Sequence, residues 1–363
     1  MHDYYKIDFT PLEYYHFYAG IDVVGRQGSE NETRTYSSIS KRIPPQTSIL
    51  GMLKWMLQYD NGNLFWDETL SNYKIQKDDV AKVLVGSMGF SFDKDSYGSI
   101  AAISQVILVN RDKETFLKPY FDHKEFTFSD SIEGKFISNN SRAVEPKNYC
   151  SSYKSKLKIN SHFFTKPHVD TQIRVAKNEN GTLEDQKYFE KEFYALYDRC
   201  HFRIYVKLKG PDHDEKNAIV TNSLRGFAAG KRLQKLGGEQ NLFHIDIVPL
   251  KKEDSDHCQN VLKDDMQVEK ELVCLSPCYI PTDLCADVDI IYARYSSYRF
   301  YSTKDRDNKP HYQKAPKSEC YQLLDVGSII QIKNTESSKN IESNTEWKNA
   351  RTYGFNKLTP YKK

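Results

Sequence analysis

Three observations predict an α+β fold. Apolar and polar residues alternate over 4–9, 202–209 and 242–248, which is the period-two pattern of half-buried strands. Ile49, Leu50, Leu53, Met56 and Leu57 recur at three- and four-residue spacing, so one face of a helix over 47–59 is apolar. Ala101–Val109 is apolar on both faces and rich in β-branched residues, as a central strand would be. With a second helix expected over 217–236, the order is β-α-β-β-α-β, that of a ferredoxin-like unit.

Each element has a local reason. In the first strand Tyr5, Ile7 and Phe9 alternate with Tyr4, Lys6 and Asp8. Residues 19–43 carry Gly20, Gly25, Gly28 and several charges, and are expected to form a loop. Pro44 and Pro45 hold the chain extended, and Thr47 or Ser48 is the expected N-cap of the first helix, with Lys54 and Gln58 pointing away from its apolar face. Gly51 weakens that helix and lets another backbone come close. A short helix is expected near Asp78–Leu84. The polar stretch 110–170 is too long for a simple loop and reads as an insertion with its own job or as a disordered segment. Gln172–Lys177 is strand-like, and 188–197 is compatible with helix or strand. Gly210-Pro211-Asp212 ends the 202–209 strand, and Gly237-Gly238 stops the expected second helix. An acidic connector over 251–271 holds the expected boundary between a first domain, 1–252, and a β-rich second one, 253–363.

Length and charge narrow the function. A chain of 363 residues has room for two domains with real cores, and a net charge of +3 means that anion binding must come from local patches. Mean hydropathy is -0.69, and no apolar run approaches the length of a membrane span. The first residues, Met1 to Lys6, lack the apolar run of a signal peptide, and seven cysteines form no recognisable framework, so a cytoplasmic protein with reduced thiols is expected. Cys274, Cys278 and Cys285 fit no common zinc spacing and read as core residues. Phosphate-loop, nucleophile-elbow and zinc-protease motifs are absent from the sequence, and no cofactor or metal is implied.

The chemistry that remains is positive and aromatic. Lys41 and Arg42 precede the first helix; Arg142, Lys147, Lys154, Lys156, Lys158 and Lys166 lie in the insertion among Tyr149, Tyr153, Phe163 and Phe164. Arg203, Tyr205 and Lys207 form the polar face of a strand, and Arg225, Lys231, Arg232 and Lys235 run up to Gly237-Gly238. Cations neutralise phosphates, glycines let a phosphodiester approach, and rings stack on unpaired bases, so the set points to RNA. For any single patch, a solvated surface is the competing reading. Arg225-Gly226-Phe227-Ala228 mimics an RNA-recognition strand signature, but the residues after it do not alternate. His16, His162 and His168 are the candidates for a general base that would assist 2′-hydroxyl attack.

Several short motifs fall in the order of a known family. Phe9-Thr10-Pro11-Leu12 and then Pro44-Pro45-Gln46-Thr47-Ser48-Ile49-Leu50-Gly51-Met52-Leu53 resemble the opening of the RAMP superfamily. Gln172-Ile173-Arg174-Val175, Phe193–Tyr197, Lys235-Leu236-Gly237-Gly238-Glu239, Ser276–Tyr279, Val326–Ile330 and Tyr353-Gly354-Phe355-Asn356 follow in sequence. Within that superfamily the chain is similar to the tag-binding subunits of type III-B CRISPR effectors, the third subunit of the Cmr complex. Its glycine-rich loop is thin, and 60–98 and 110–170 align with nothing in the family.

The resemblance implies two ferredoxin-like domains, the second smaller, and a non-catalytic subunit that grips the 5′ tag of the CRISPR RNA. It also implies docking on the large polymerase-like subunit and on backbone RAMP subunits, with 110–170 as a wedge or partner arm. Tag contacts would fall on Lys41, Arg42, Gln46, Thr47 and Ser48, with Lys54 beside them, then on Gln172 and Arg174, then on Gly237, Gly238 and Glu239. The cations Arg225, Lys231, Arg232 and Lys235 join them, and Tyr153, Lys154, Lys156 and Lys158 would make the contacts of the insertion. Two rivals are a metal-independent endoribonuclease of the same superfamily and a protein-only scaffold.

Overall fold

The computed structural model describes residues 2–24, 35–68, 72–86, 91–93, 97–112, 114–120, 148–150, 168–173, 188–196, 200–209, 230–237, 241–251, 258, 261–262, 271–293, 295–301 and 317–360. It is a mixed α/β, strand-rich architecture with few helices. β1 (His2–Pro11), β2 (Tyr18–Val24) and β3 (Thr35–Ser40) precede α1 (Gln46–Asp60). A hairpin of β4 (Leu64–Asp67) and β5 (Asn72–Ile75) leads to α2 (Asp78–Val85), then β6 (Ile100–Ile103), β7 (Ile107–Asn110), β8 (Thr115–Tyr120) and β9 (Asn148–Cys150). β10 (His168–Ile173), β11 (Tyr188–Phe193), β12 (Cys200–Lys209), β13 (Gly230–Leu236) and β14 (Asn241–Pro249) complete the first half. The second half contains β15 (Glu271–Cys274), β16 (Cys278–Tyr279), β17 (Val288–Tyr292), β18 (Tyr295–Tyr301), β19 (Lys317–Leu324) and β20 (Ile329–Ile332). Two short helices, α3 (Thr335–Ser343) and α4 (Thr345–Thr352), then lead to β21 (Leu358–Pro360).

The principal sheet has the order β13-β14-β1-β12-β7-β8-β9, with β6 also on β12. β1 lies antiparallel between β12 and β14. Ile7, Phe9, Phe202, Ile204, Phe243 and Ile245 all point to one side, where Ile49, Leu53, Met56 and Leu57 of α1 bury against them. The period-two and period-3.6 stripes therefore meet as the sequence requires. A smaller sheet, β17-β20-β15-β21, repeats the arrangement. Numbered by appearance within each half, β14-β1-β12-β7 and β21-β15-β20-β17 both run 4-1-3-2, with antiparallel neighbours. A single 3-10 turn, Thr282–Leu284, stands where α1 stands in the first half.

Several expectations are corrected. The stretch 19–43 is not simply loop: β2 and β3 pair with each other, and β3 runs parallel to β11. The expected helix over 217–236 is contradicted at its end, because 230–236 is the strand β13, hydrogen-bonded to β14; the rest lies outside the described residues. The expected 101–109 strand is interrupted at Ser104–Val106, where Ser104 exchanges backbone and side-chain bonds with Tyr205. The N-cap of α1 is Pro45 rather than Thr47 or Ser48: its carbonyl accepts from the amides of Ser48 and Ile49, and no side chain caps the helix. Gln58 is buried rather than outward, against Asn63.

Of the apolar cores, the larger draws residues from both halves. Leu323, Ala350, Tyr353 and Phe355 belong to the same apolar cluster as β1 and α1. Phe92 stacks on Tyr279 with centroids 4.7 Å apart and meets Phe355 edge-on at 5.2 Å. Cys274 and Cys278 are fully buried in the second core, in agreement with their reading as core residues, whereas Cys285 is exposed and its reading as a core residue is corrected.

Candidate nucleic-acid interface

The entry to α1 is also the joint between the halves. Gln46 is buried, and its Nε2 donates to the Ser104 and Tyr353 carbonyls, each at 3.0 Å. Gly354, at φ +82°, lies directly against it: a Cβ there would collide with the Gln46 amide and come within 2.5 Å of the Ser104 carbonyl oxygen. Lys41 Nζ pairs with Asp325 Oδ1 at 2.8 Å and reaches Ser296 Oγ at 3.3 Å. The Arg42 guanidinium sits over the Tyr194 ring at 5.4 Å, and its carbonyl accepts from Tyr15 Oη. The expectation that Lys41 and Gln46 point at a ligand is corrected, since each is engaged with residues far along the chain.

The outward flank of α1 is different. Thr47, Gly51 and Lys54 lie at i, i+4 and i+7, one line along the helix. Gly51 is exposed, and a Cβ there would meet nothing within 4 Å. The Lys54 ammonium lies over the Tyr97 ring at 5.1 Å and has no carboxylate partner among the described residues. Burial pulls its pKa down to about 8. Ser48 is half-buried beside Thr47.

The side of the principal sheet away from α1 carries a small apolar cluster of Ile107, Val109, Tyr205 and Cys258, and beside it charged groups that are partly self-neutralised. Arg203, buried, binds both carboxylate oxygens of Asp8 at 2.6 and 2.8 Å and Glu114 at 2.7 Å. His201 Nε2 adds contacts to Arg203 at 3.1 Å and Asp8 at 3.4 Å. Burial pushes the Asp8 carboxyl upward, but its bonds to Arg203 and His201 outweigh that and hold it at about 2. The bond from Arg203 lowers Glu114 as well. Arg203 is thus an internal counterion and not the exposed phosphate ligand expected of the 202–209 polar face. Tyr205 is buried too, and Lys207 lies over the Tyr4 ring at 5.6 Å.

β13 divides its cations between two sides. Arg232, opposite Ile245, faces α1 and binds Asp60 through two bonds of 2.8 and 2.9 Å, so this expected RNA contact is instead engaged within the chain. Lys231 and Lys235, opposite Asp246 and Leu242, are exposed on the other face. Gly237 takes φ +78° at the turn into β14, against the Phe17 ring. The α1 flank and the Lys231/Lys235 pair therefore lie on opposite sides of one sheet.

Gln172 lies in β10, opposite Phe189 of β11. Arg174, Arg225, Gly238, Glu239, Tyr153, Lys154, Lys156 and Lys158 lie outside the described residues, as does His162. His16 is corrected as a general base: it is buried, with Nδ1 on the Glu192 carbonyl at 2.7 Å and Nε2 on Ser38 Oγ at 3.2 Å. Sequence reasoning missed Asp8 as the partner of Arg203, although alternation places both on the polar face of strands that turn out adjacent. It also missed Tyr97 under Lys54, which no local signal marks.

Fold and surface together define a strand-rich α/β protein with two like-ordered sheets and cations on two of its faces, Lys54 beside α1 and the exposed Lys231 and Lys235 on the other side. The chain is similar over nearly its whole length to subunits seen in CRISPR effector structures. One belongs to the type III-B Cmr-β complex bound to cognate target RNA and AMPPnP, at 13% identity and TM-score 0.46, covering 98% of this chain and 96% of that one. The same complex bound to cognate target RNA alone gives 13% identity, TM-score 0.45 and the same coverage. A chain of the Csm3–Csm4 subcomplex of the type III-A CRISPR-Cas interference complex matches at 12% identity and TM-score 0.38, covering 91% and 93%. No family model and no curated protein matches the chain. No helix among the described residues is long and apolar enough to cross a membrane.

Proposed function

We propose that this chain is a non-catalytic, RNA-binding RAMP subunit of a type III CRISPR effector, which grips the 5′ tag of the CRISPR RNA. It docks on the large polymerase-like subunit and on backbone RAMP subunits. The two 4-1-3-2 sheets are read as two ferredoxin-like units, 1–252 and 253–363, the second with its first helix reduced to one turn. Each unit has a positive-φ glycine, Gly237 or Gly354, just before its last strand. The 110–170 insertion is the candidate wedge or partner arm.

The observation that carries the reading is the outward flank of α1. A hydroxyl, a bare backbone and an ammonium with no carboxylate partner among the described residues lie in line at Thr47, Gly51 and Lys54. An exposed mid-helix glycine costs about 1 kcal/mol relative to alanine. Among the described residues nothing approaches the place of a Gly51 side chain, and the reading assigns the bare backbone to a close-approaching ligand. A phosphodiester fits: Lys54 supplies charge, Thr47 a donor, and Gly51 the approach.

The test is incubation of purified protein with end-labelled repeat RNA in EDTA, run on native and denaturing gels. A shifted, intact RNA supports the reading, and a discrete cut in EDTA refutes its non-catalytic part. Absence of any shift, both for the chain alone and for the complex assembled with its neighbours, refutes RNA binding.

A further inference from the structure

The α1 flank leaves one cationic surface unused, on the far side of the principal sheet. Register places Leu233, His244 and Thr10 in one row across β13, β14 and β1. Residues opposite one another in antiparallel strands share a face. Lys231 and Lys235 flank that row on β13, about 13 Å apart along the strand at 3.3 Å per residue. Leu233 is 60% exposed and Leu12, beyond the end of β1, 53%, so this half of the face is open. The β12 half is closed by the Arg203–Asp8–Glu114 cluster.

Charge selects the occupant. Lys231 and Lys235 are exposed, and Arg111, whose Nη2 donates to Thr10 Oγ1 at 2.6 Å, adds a third cation at the rim. Asp246 is the one carboxylate in the neighbouring rows not already bound by Arg203, and it forms no ion pair with Lys231, its register partner, among the described residues. The His244 ring is half-buried in the middle of the row. Cations spaced along a strand beside a flat ring and exposed aliphatic surface are what an unpaired nucleotide run needs: phosphates on the rim and bases on the face. A duplex, whose bases are stacked away, would leave Leu233 and Leu12 uncovered.

We infer that the open face of β13, β14 and β1 is a second contact surface for single-stranded RNA, with phosphates at Lys231 and Lys235 and a base on His244. It rests on the proposed function for its RNA ligand and takes Lys231 and Lys235 from the expected tag contacts, but lies on the side of the sheet opposite the α1 flank. An RNA engaging both surfaces must pass round the edge of the sheet at β13.

The test uses the full chain and an unstructured oligouridylate probe. Lys231→Glu with Lys235→Glu changes only exposed side chains and is expected to weaken probe binding at least tenfold. His244→Ala is expected to weaken it several-fold and to remove a photocrosslink from a 4-thiouridine probe to β14. Thermal unfolding that matches the unsubstituted protein checks the fold of each variant. Binding lost on Lys54→Ala but unchanged in the sheet-face variants overturns this inference and leaves the proposed function standing. No binding of the probe to any form overturns this inference, while the repeat-RNA gel separately decides the proposed function. Competition by polyglutamate as strong as by RNA of equal charge also overturns it, because the face would then be a general polyanion or acidic-protein surface.

Discussion

Replacing Gln46 by alanine separates a joint residue from a ligand contact. The side chain is 2% exposed, and its Nε2 serves two carbonyls, Ser104 from the first half and Tyr353 from the second. Alanine removes both donors and opens a cavity beside Gly354, where the backbone cannot move in. With the two neutral bonds worth about 1 kcal/mol each and the cavity about as much again, the expected loss is about 3 kcal/mol. Urea unfolding followed by tryptophan fluorescence reads this as a lower midpoint. RNA affinity of the folded variant should be unchanged. An unchanged midpoint together with lost RNA binding would refute the assignment of Gln46 to the joint and restore it as a tag contact.

Other substitutions and conditions have definite outcomes. Gly354→Ala should destabilise by about 3 kcal/mol or more, from left-handed strain plus the collision with Gln46 and Ser104, read by the same unfolding assay. Gly51→Ala should instead stabilise by about 0.5–1 kcal/mol, because its new methyl meets open space, while RNA affinity falls if a backbone packs there. Asp8 has a folded pKa of about 2 against an ordinary 3.8, so the stability it adds is present above about pH 4 and lost as pH falls towards 2. That contribution is about 2 kcal/mol, and Asp8→Asn should flatten this part of an acid-unfolding curve. Lys54 carries its charge below about pH 8 and loses it above, so RNA affinity should fall between pH 7.5 and 9 in the unsubstituted protein and stay flat in Lys54→Arg.

Elements with a clear period were legible in the sequence. The alternation around Ile7 and Ile204 and the helical stripe from Ile49 to Leu57 predict the centre of the principal sheet and the helix on it, because burial on one face leaves that imprint. β13 was misread for the same reason: among the described side chains of this edge strand only Leu236 is buried, and Leu233 and two lysines lie on its open face, so no alternation survives. β2 and β3 were hidden by glycines and hydroxyl residues, since Ser38 and Ser40 are buried as hydrogen-bonding groups rather than as apolar ones. The candidate site was legible as a set of cations but not as a surface. Lys41 and Asp325 are 284 residues apart, as are no two members of a local motif, and Asp60 meets Arg232 across 172 residues. Local sequence shows a charge and not its counterion.

The most direct test of the α1 flank is the salt dependence of repeat-RNA affinity for the unsubstituted protein and for Lys54→Ala. Each phosphate neutralised on a single strand adds about 0.7 to the slope of log affinity against log salt. The account predicts weaker binding and a slope smaller by about that amount for Lys54→Ala, with Lys54→Arg restoring both at neutral pH. Affinity and slope that are both unchanged in Lys54→Ala would contradict the placement of the RNA backbone along α1.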